Sequence, residues 1–407
     1  MTKNELLRSV NVLRRTDNTT NWLYLAREYL LLGLLVGLMI AFYHWLHVQG
    51  LSWFYAVPIT LPAVALIGAG QHRLTTLGHE ASHYLLFRNR ILNELVSDWL
   101  CMFPMWSTTH HYRLQHLAHH QFPNDPQRDP DVMQMEGSGH RFHFPMTPVG
   151  FVWNCIIKQA LWLPGLIRYI RMRAHYATTG GGGGPYTVHN PRTRFLILFG
   201  AVYVLSLAAI LTILTMRDEW LLSIIVPAAM WAVAMSLYAL VPRHFYRSPR
   251  LKPDVSIRWI SCGRLTYVTL LFTALACLCQ LTDEPWGLYY LILWCLPMMT
   301  GFAFCMIARQ VVQHGHAGQD RFGNTRVFLV GRFIRWAVFP LGMDYHLPHH
   351  LFPLVPHYRL PQLHALLLEH DPEYREHCTI VEGYVFHRRP PEHVTVLEVM
   401  SRPQATA

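Results

Sequence analysis

Histidine carries the chemistry of this chain: 26 of its 407 residues are His, and many of them are clustered. The first cluster is Gly78-His79-Glu80-Ala81-Ser82-His83, with His79 and His83 four apart. On a helix that spacing stacks both imidazoles on one face, where they can grip one cation. A second cluster, His116-Leu117-Ala118-His119-His120, and a third, His346-Leu347-Pro348-His349-His350, share the pattern H-x-x-H-H. Between them stands Gln313-His314-Gly315-His316. Adjacent imidazoles repel when protonated and add little to packing, whereas neutral imidazole is a good ligand for iron, copper or zinc. His79, His83, His116, His119, His120, His314, His346, His349 and His350 give nine candidate ligands. A structural zinc takes about four, so two metal ions with open positions fit better. The neighbours His110, His111 and His316 are left without a role.

Two other chemistries compete. His79-Glu80-x-x-His83 also reads as H-E-x-x-H, the helix motif of zinc metalloproteases, with Glu80 as general base. That reading uses three protein ligands on one zinc and leaves the second and third clusters unexplained. A histidine-rich metal transporter would place polar ligands within its membrane spans, and the apolar runs here are almost free of them. Acids near the clusters are candidates for holding ligating imidazoles in one tautomer. Glu80, Asp98, Asp129 and Asp344 are the foremost, with Glu94, Asp125 and Asp131 also close in sequence. Their competing role is loop solvation or helix capping.

The elements that must position these residues are membrane helices. The chain is 52% hydrophobic and only 14% charged, where soluble domains carry about 25% charged residues. Disorder is excluded by 13 Trp, 19 Tyr and 20 Phe. Six runs free of Lys, Arg, Asp and Glu (29–46, 52–70, 195–216, 220–241, 265–282 and 286–308) are each long enough to cross a bilayer. They pair as three hairpins with short connections at 47–51, 217–219 and 283–285. Of 34 Lys and Arg only Arg217 falls on a hairpin tip, beside Asp218, Glu219, Asp283 and Glu284. The positive-inside rule then puts both termini, both long loops and every histidine cluster in the cytoplasm. The expected fold is an all-α integral-membrane bundle of six transmembrane helices with a cytoplasmic histidine-rich cap. Pro58 and Pro62 are expected to kink the second run.

The remaining features are plainer. The first 28 residues are polar, which is not the pattern of a cleavable signal peptide. Eight scattered cysteines form no C-x-x-C pair and read as free thiols in a reducing compartment. The apolar stretch 150–167, broken by Lys158 and Pro164, reads as a helix lying on the bilayer surface. Residues 178–185 (TTGGGGGP) read as a flexible linker, since they lack the P-loop pattern.

HEASH from 79, HLAHH from 116 and HLPHH from 346 together resemble the three histidine boxes of the integral-membrane fatty acid desaturases and hydroxylases. The flanks FPNDPQRDPD and LFPLVPHYRLPQLHALL are similar as well. His314 falls where related enzymes place a further histidine. The resemblance implies a di-iron centre, bound by the nine histidines and using O2 and two external electrons to put a double bond into a long alkyl chain. A hydroxylase of an alkyl, sphingolipid or carotenoid chain is the alternative outcome. The implied partners are a lipid or acyl substrate from the bilayer and an external donor (ferredoxin, rubredoxin or a b-type cytochrome with its reductase), with no nucleic acid. The resemblance divides the chain into a cytoplasmic segment 1–28, a desaturase domain 29–370 and a tail 371–407. It departs from many acyl desaturases in having six spans, and it carries no H-P-G-G haem motif.

Overall fold

All six apolar runs are helical in a computed structural model of the chain, which describes residues 1–179, 185–186, 190–246, 250–386 and 392–403. The membrane spans among the described residues are Thr20–Val48, Trp53–Ser82, Thr193–Met216, Leu222–Leu240, Ile257–Thr282 and Trp286–His314. They form three helical hairpins, as the short connections require. Large apolar side chains such as Leu30, Leu198 and Leu240 are exposed on the outer faces of the spans, where lipid takes the place of water. Among the described residues, only two short parallel strands, Val327–Leu329 and Ile380–Glu382, interrupt the all-helical architecture.

Two spans are longer than their apolar runs, and this positions the chemistry. The second does not stop at residue 70 but continues as one helix to Ser82, adding about 18 Å at 1.5 Å per residue. His79 therefore rides in the last turn of a rigid rod. The sixth continues past residue 308 to His314. The charged residues Arg73 and Arg309, which end the apolar runs, lie buried inside these helices. Pro58 falls at the start of the helix Val57–Ser82, just after the 3-10 turn Trp53–Ala56, so Pro62 alone is an interior proline of that helix.

The second and sixth spans pack backbone against backbone. A Cβ at Gly68 would come within 2.7 Å of the Gly301 Cα, and one at Gly301 within 3.0 Å of the Val64 carbonyl oxygen. Only glycine permits that approach, the close packing small residues give membrane helices. The sixth span is built for it in pieces, with a π-helical turn at Leu291–Cys295, Pro297 one turn on, and a break at Thr300. Phe302, Ala303, Met306 and Ile307 of this span enter the largest core cluster. The first and second spans share another through Leu25, Leu32, Leu74 and Leu77. The third to fifth spans form a cluster of their own around Tyr203, Leu207 and Tyr238.

The surface helix expected at 150–167 is two helices. One covers Pro148–Leu161 with a π-helical middle, and the second, Leu163–Thr179, starts with Pro164 in its first turn. Thr178 and Thr179 of the expected linker belong to that second helix, and 180–184 lie outside the described residues. The chain ends pack onto the cap. Helix Lys3–Leu13 buries Leu6 and Val10 with Leu360, Leu363 and Leu367, and Met146 N–H donates to the Met400 carbonyl at 3.0 Å. All eight cysteines are free thiols.

Candidate metal centre

Each histidine cluster is presented by a helix end. His83 caps the second span, and Tyr84 then turns the chain with φ 61°. The second cluster lies on Thr109–Gln121, whose N-terminus is held by the Thr108 hydroxyl accepting from His111 N and by Asp98 Oδ1 accepting from Thr109 N at 2.7 Å. The third lies on the short helix His346–Leu351. Arg113 ties the first two together. Buried to 1% exposure, it donates Nε to the Ser82 carbonyl at 2.8 Å and Nη2 to the Ala81 carbonyl at 2.7 Å. Both are among the last carbonyls of their helix; the Ala81 carbonyl also accepts from Tyr84 N and from Asn93 Nδ2, each at 3.0 Å. Glu94 balances the charge, accepting from Nη1 at 3.0 Å.

All nine predicted histidines converge, and they sort into two groups. His79, His83, His116, His120 and His349 form one; His119, His314, His346 and His350 form the other, with ligand atoms within 4.8 Å of one another in each. The groups touch through His120 and His350, whose ring centroids are 4.4 Å apart. The H-x-x-H-H spacing explains the sorting. Residues four apart share a helix face, so His116 and His120 go to the first group, while His119 points about 100° away from His120 into the second. The third cluster does the converse, His346 and His350 joining the second group and His349 the first.

The geometry fits metal ligation. His116 Nε2 lies 2.8 Å from His83 Nε2 and 3.0 Å from His120 Nε2. One nitrogen has one proton or one lone pair, so it cannot serve two hydrogen bonds, but a shared cation satisfies all three. In the second group His314 Nε2 and His346 Nε2 are 2.9 Å apart. Ligands at right angles on a metal with bonds of about 2.1 Å lie about 3.0 Å apart. Both ring nitrogens of His79 and of His349 are buried without a hydrogen-bond partner, a cost of about 1–3 kcal/mol for each such polar group.

Protonation agrees with the same use. Burial pushes His83, His116, His120, His346 and His350 well below the usual imidazole range, and His349 down to about 3, so these rings are neutral. His119 is the exception. Burial opposes its charge, but Asp129 outweighs it and the ring is pushed up to about 9. His119 Nδ1–H donates to Asp129 Oδ2 at 2.9 Å, which leaves Nε2 to face the group. His314 Nδ1 donates likewise to the Asn324 carbonyl at 3.1 Å.

The four candidate supporting acids have different neighbours. Asp129 holds His119 directly. Glu80 Oε1 stands 3.5 Å from His79 Nδ1, while its Oε2 accepts from His357 N at 2.9 Å. Asp98 holds the backbone of the second-cluster helix, and burial pushes it up to about 7. Asp344 pairs with Arg335 at 2.8 Å and touches none of the nine histidines. His316 joins neither group and bonds the Arg402 carbonyl through Nε2; His110 and His111 stay outside both as well. The sequence reading passed over Arg113, whose signal was a lone arginine amid a histidine helix, and Arg309, a charge at the end of an apolar run.

Six helices long and apolar enough to cross a membrane thus present nine imidazoles, six buried and three half-buried, in two adjoining groups that could each hold a metal ion. The fatty acid desaturase family profile matches residues 58–266 and 236–381. The chain belongs to the fatty acid desaturase family. It is 28% identical over 145 residues to the dihydrorhizobitoxine desaturase of Bradyrhizobium elkanii, covering 35% of this chain and 37% of that protein. It is 23% identical over 330 residues to the Delta(5) fatty acid desaturase fat-4 of Caenorhabditis elegans, covering 76% of this chain and 57% of that one. The chain thus spans less than two thirds of either relative.

Proposed function

We propose that this protein is an O2-dependent di-iron desaturase that introduces a double bond into an alkyl chain drawn from the bilayer. The observation that carries this reading is the division of nine imidazoles into a group of five and a group of four. Family membership supports desaturation over hydroxylation, and both named relatives are desaturases. The protease alternative has little support: Glu80 is fully buried and held by the His357 backbone, and one zinc leaves four to six imidazoles unused.

An unactivated methylene C–H is beyond any side-chain base, so the two irons would supply the oxidising power with O2, two external electrons and two protons, the two substrate hydrogens and the two protons leaving as two waters and the chain as an alkene. The protein's share is positional. His79, His83, His116, His120 and His349 would hold one iron, and His119, His314, His346 and His350 the other. Asp129 and the Asn324 carbonyl fix the ring tautomers of His119 and His314. Residues 29–370 would form the catalytic unit, flanked by 1–28 and 371–407.

The charge distribution supports a cytoplasmic cap and cytoplasmic termini, because 33 of 34 Lys and Arg lie off the hairpin tips. An open cavity of about 630 Å3 is lined by His83 with Arg14, Arg15, Arg88 and Arg90. That basic rim beside one metal group suits an acidic carrier such as a ferredoxin, a rubredoxin or a b-type cytochrome. Expression in a host of known lipid composition, followed by mass spectrometry, tests the reaction. A product lighter by two hydrogens supports desaturation; a product heavier by one oxygen makes the enzyme a hydroxylase.

A further inference from the structure

Between the second-cluster helix, the surface helix Leu163–Thr179 and the sixth span lies a cavity of about 140 Å3. Met102, Met105, Trp106, Ile170, Met298 and Phe302 make its apolar wall. Its polar side is formed by Tyr112, Gln115 and Arg173. Tyr112 stacks on His116 with centroids 5.3 Å apart, so this side abuts the five-histidine group. The Arg173 guanidinium lies 5.9 Å from the Tyr112 ring and 5.7 Å from Phe302. Gln115 Nε2 is buried with no hydrogen-bond partner.

Arg309 adds a second positive charge that acts on Tyr112, Tyr169, Arg173 and Asp131. It is 7% exposed, five residues before His314. Its Nη2 meets the Met306 sulfur at 3.5 Å, and its Nε is buried without a partner. Two of the chain's other buried arginines are met by carboxylates, while Arg326, 3% exposed, is held by backbone carbonyls alone. Arg73 is matched by Glu28, and Arg113 by Glu94; among the described residues no carboxylate pairs with Arg309 or Arg173. A buried charge such as Arg309 is costly without a paired counter-ion; Asp131 acts on it without forming an ion pair, and neutral imidazoles supply no negative charge.

We propose that this cavity seats the carboxylate head of the substrate, with Arg173 at the cavity and Arg309 nearby as its counter-charges and Gln115 as a further donor. A guanidinium matches a carboxylate in planar, two-point geometry. The volume is close to the roughly 150 Å3 that holds one benzene, room for the carboxylate and its first few methylenes. The substrate class is then a free acid, and the oxidised carbons lie near its carboxyl end, beside His79 and His116. This deepens the desaturase reading and rests on it for the chemistry, but not for the binding.

The test is equilibrium binding of three labelled probes, palmitate, methyl palmitate and hexadecanol, to the full-length iron-loaded protein in detergent. Palmitate is expected to bind about tenfold to a hundredfold more tightly than either neutral probe. Arg173→Met and Arg309→Met should each collapse that preference with iron content unchanged, and Arg173→Lys should retain part of it. Equal binding of the three probes to the unaltered protein overturns the proposal. So does a preference that survives in Arg173→Met, or loss of iron from both methionine variants, which would make the arginines structural. No turnover is needed: a palmitate preference in a protein that forms no double bond sinks the desaturase reading alone, whereas desaturation without the preference sinks this one alone.

Discussion

Arg113 Nε donates to the carbonyl oxygen of Ser82 at 2.8 Å, fastening the helix of the second histidine cluster to the last turn of the span that carries the first. Neither residue is a candidate ligand, yet the bond sets the position of four ligands in the five-histidine group: His79, His83, His116 and His120. Replacing Arg113 with Met strands the buried Glu94 carboxylate and takes the Arg113 donor from the Ser82 carbonyl. The expected cost is about 3–5 kcal/mol, seen as a lower melting temperature and reduced iron per chain. The double variant Arg113→Met, Glu94→Gln should recover part of the stability, because the uncompensated charge is gone. Unchanged iron in Arg113→Met would show that the two helices hold their places without it.

Asp129 acts on metal binding through His119. Asp129→Asn weakens the hold on the Nδ1 proton and the ring orientation, so metal affinity should fall about 10–100-fold. His119→Ala should abolish turnover and empty the four-histidine group. His175→Ala, on the surface helix Leu163–Thr179 and in neither group, should change neither iron content nor turnover. Metal titration of the stripped protein reads all three. Wild-type affinity in Asp129→Asn would remove that carboxylate from the account.

The glycine contact between the second and sixth spans sets how far apart His79 and His314 stand. Gly68→Val drives a side chain into the Gly301–Phe302 backbone, which cannot yield as a flexible side chain would. Overpacking of this kind costs about 1–3 kcal/mol or more. The variant should lose thermal stability and iron together, whereas Gly37→Val, where a Cβ meets nothing within 4 Å, should lose neither. Separation of the two effects in Gly68→Val would mean that the helix spacing does not control the metal groups.

Much of this was legible because its causes are local. Uncharged runs give the spans, and H-x-x-H-H gives ligands on a helix, so all nine converging histidines were named from spacing and resemblance. The division into five and four was not read, although it follows from the 100° step between His119 and His120. The apolar runs did not show that their helices continue through the buried Arg73 and Arg309 to the histidines. Burial of Arg73 depends on Glu28, which lies 45 residues away in sequence. Arg113 was missed for the same reason, its partners being the carbonyls of another helix. Asp344, next to the third cluster in sequence, turns to Arg335, since sequence proximity does not fix side-chain direction.

Counting metal in the purified full-length protein tests the central claim most directly. Elemental analysis is predicted to give about two irons per chain, falling toward one in His349→Ala, from the five-histidine group, and likewise in His346→Ala, from the four. A single zinc per chain, or two irons that survive both substitutions, would contradict the two-group centre.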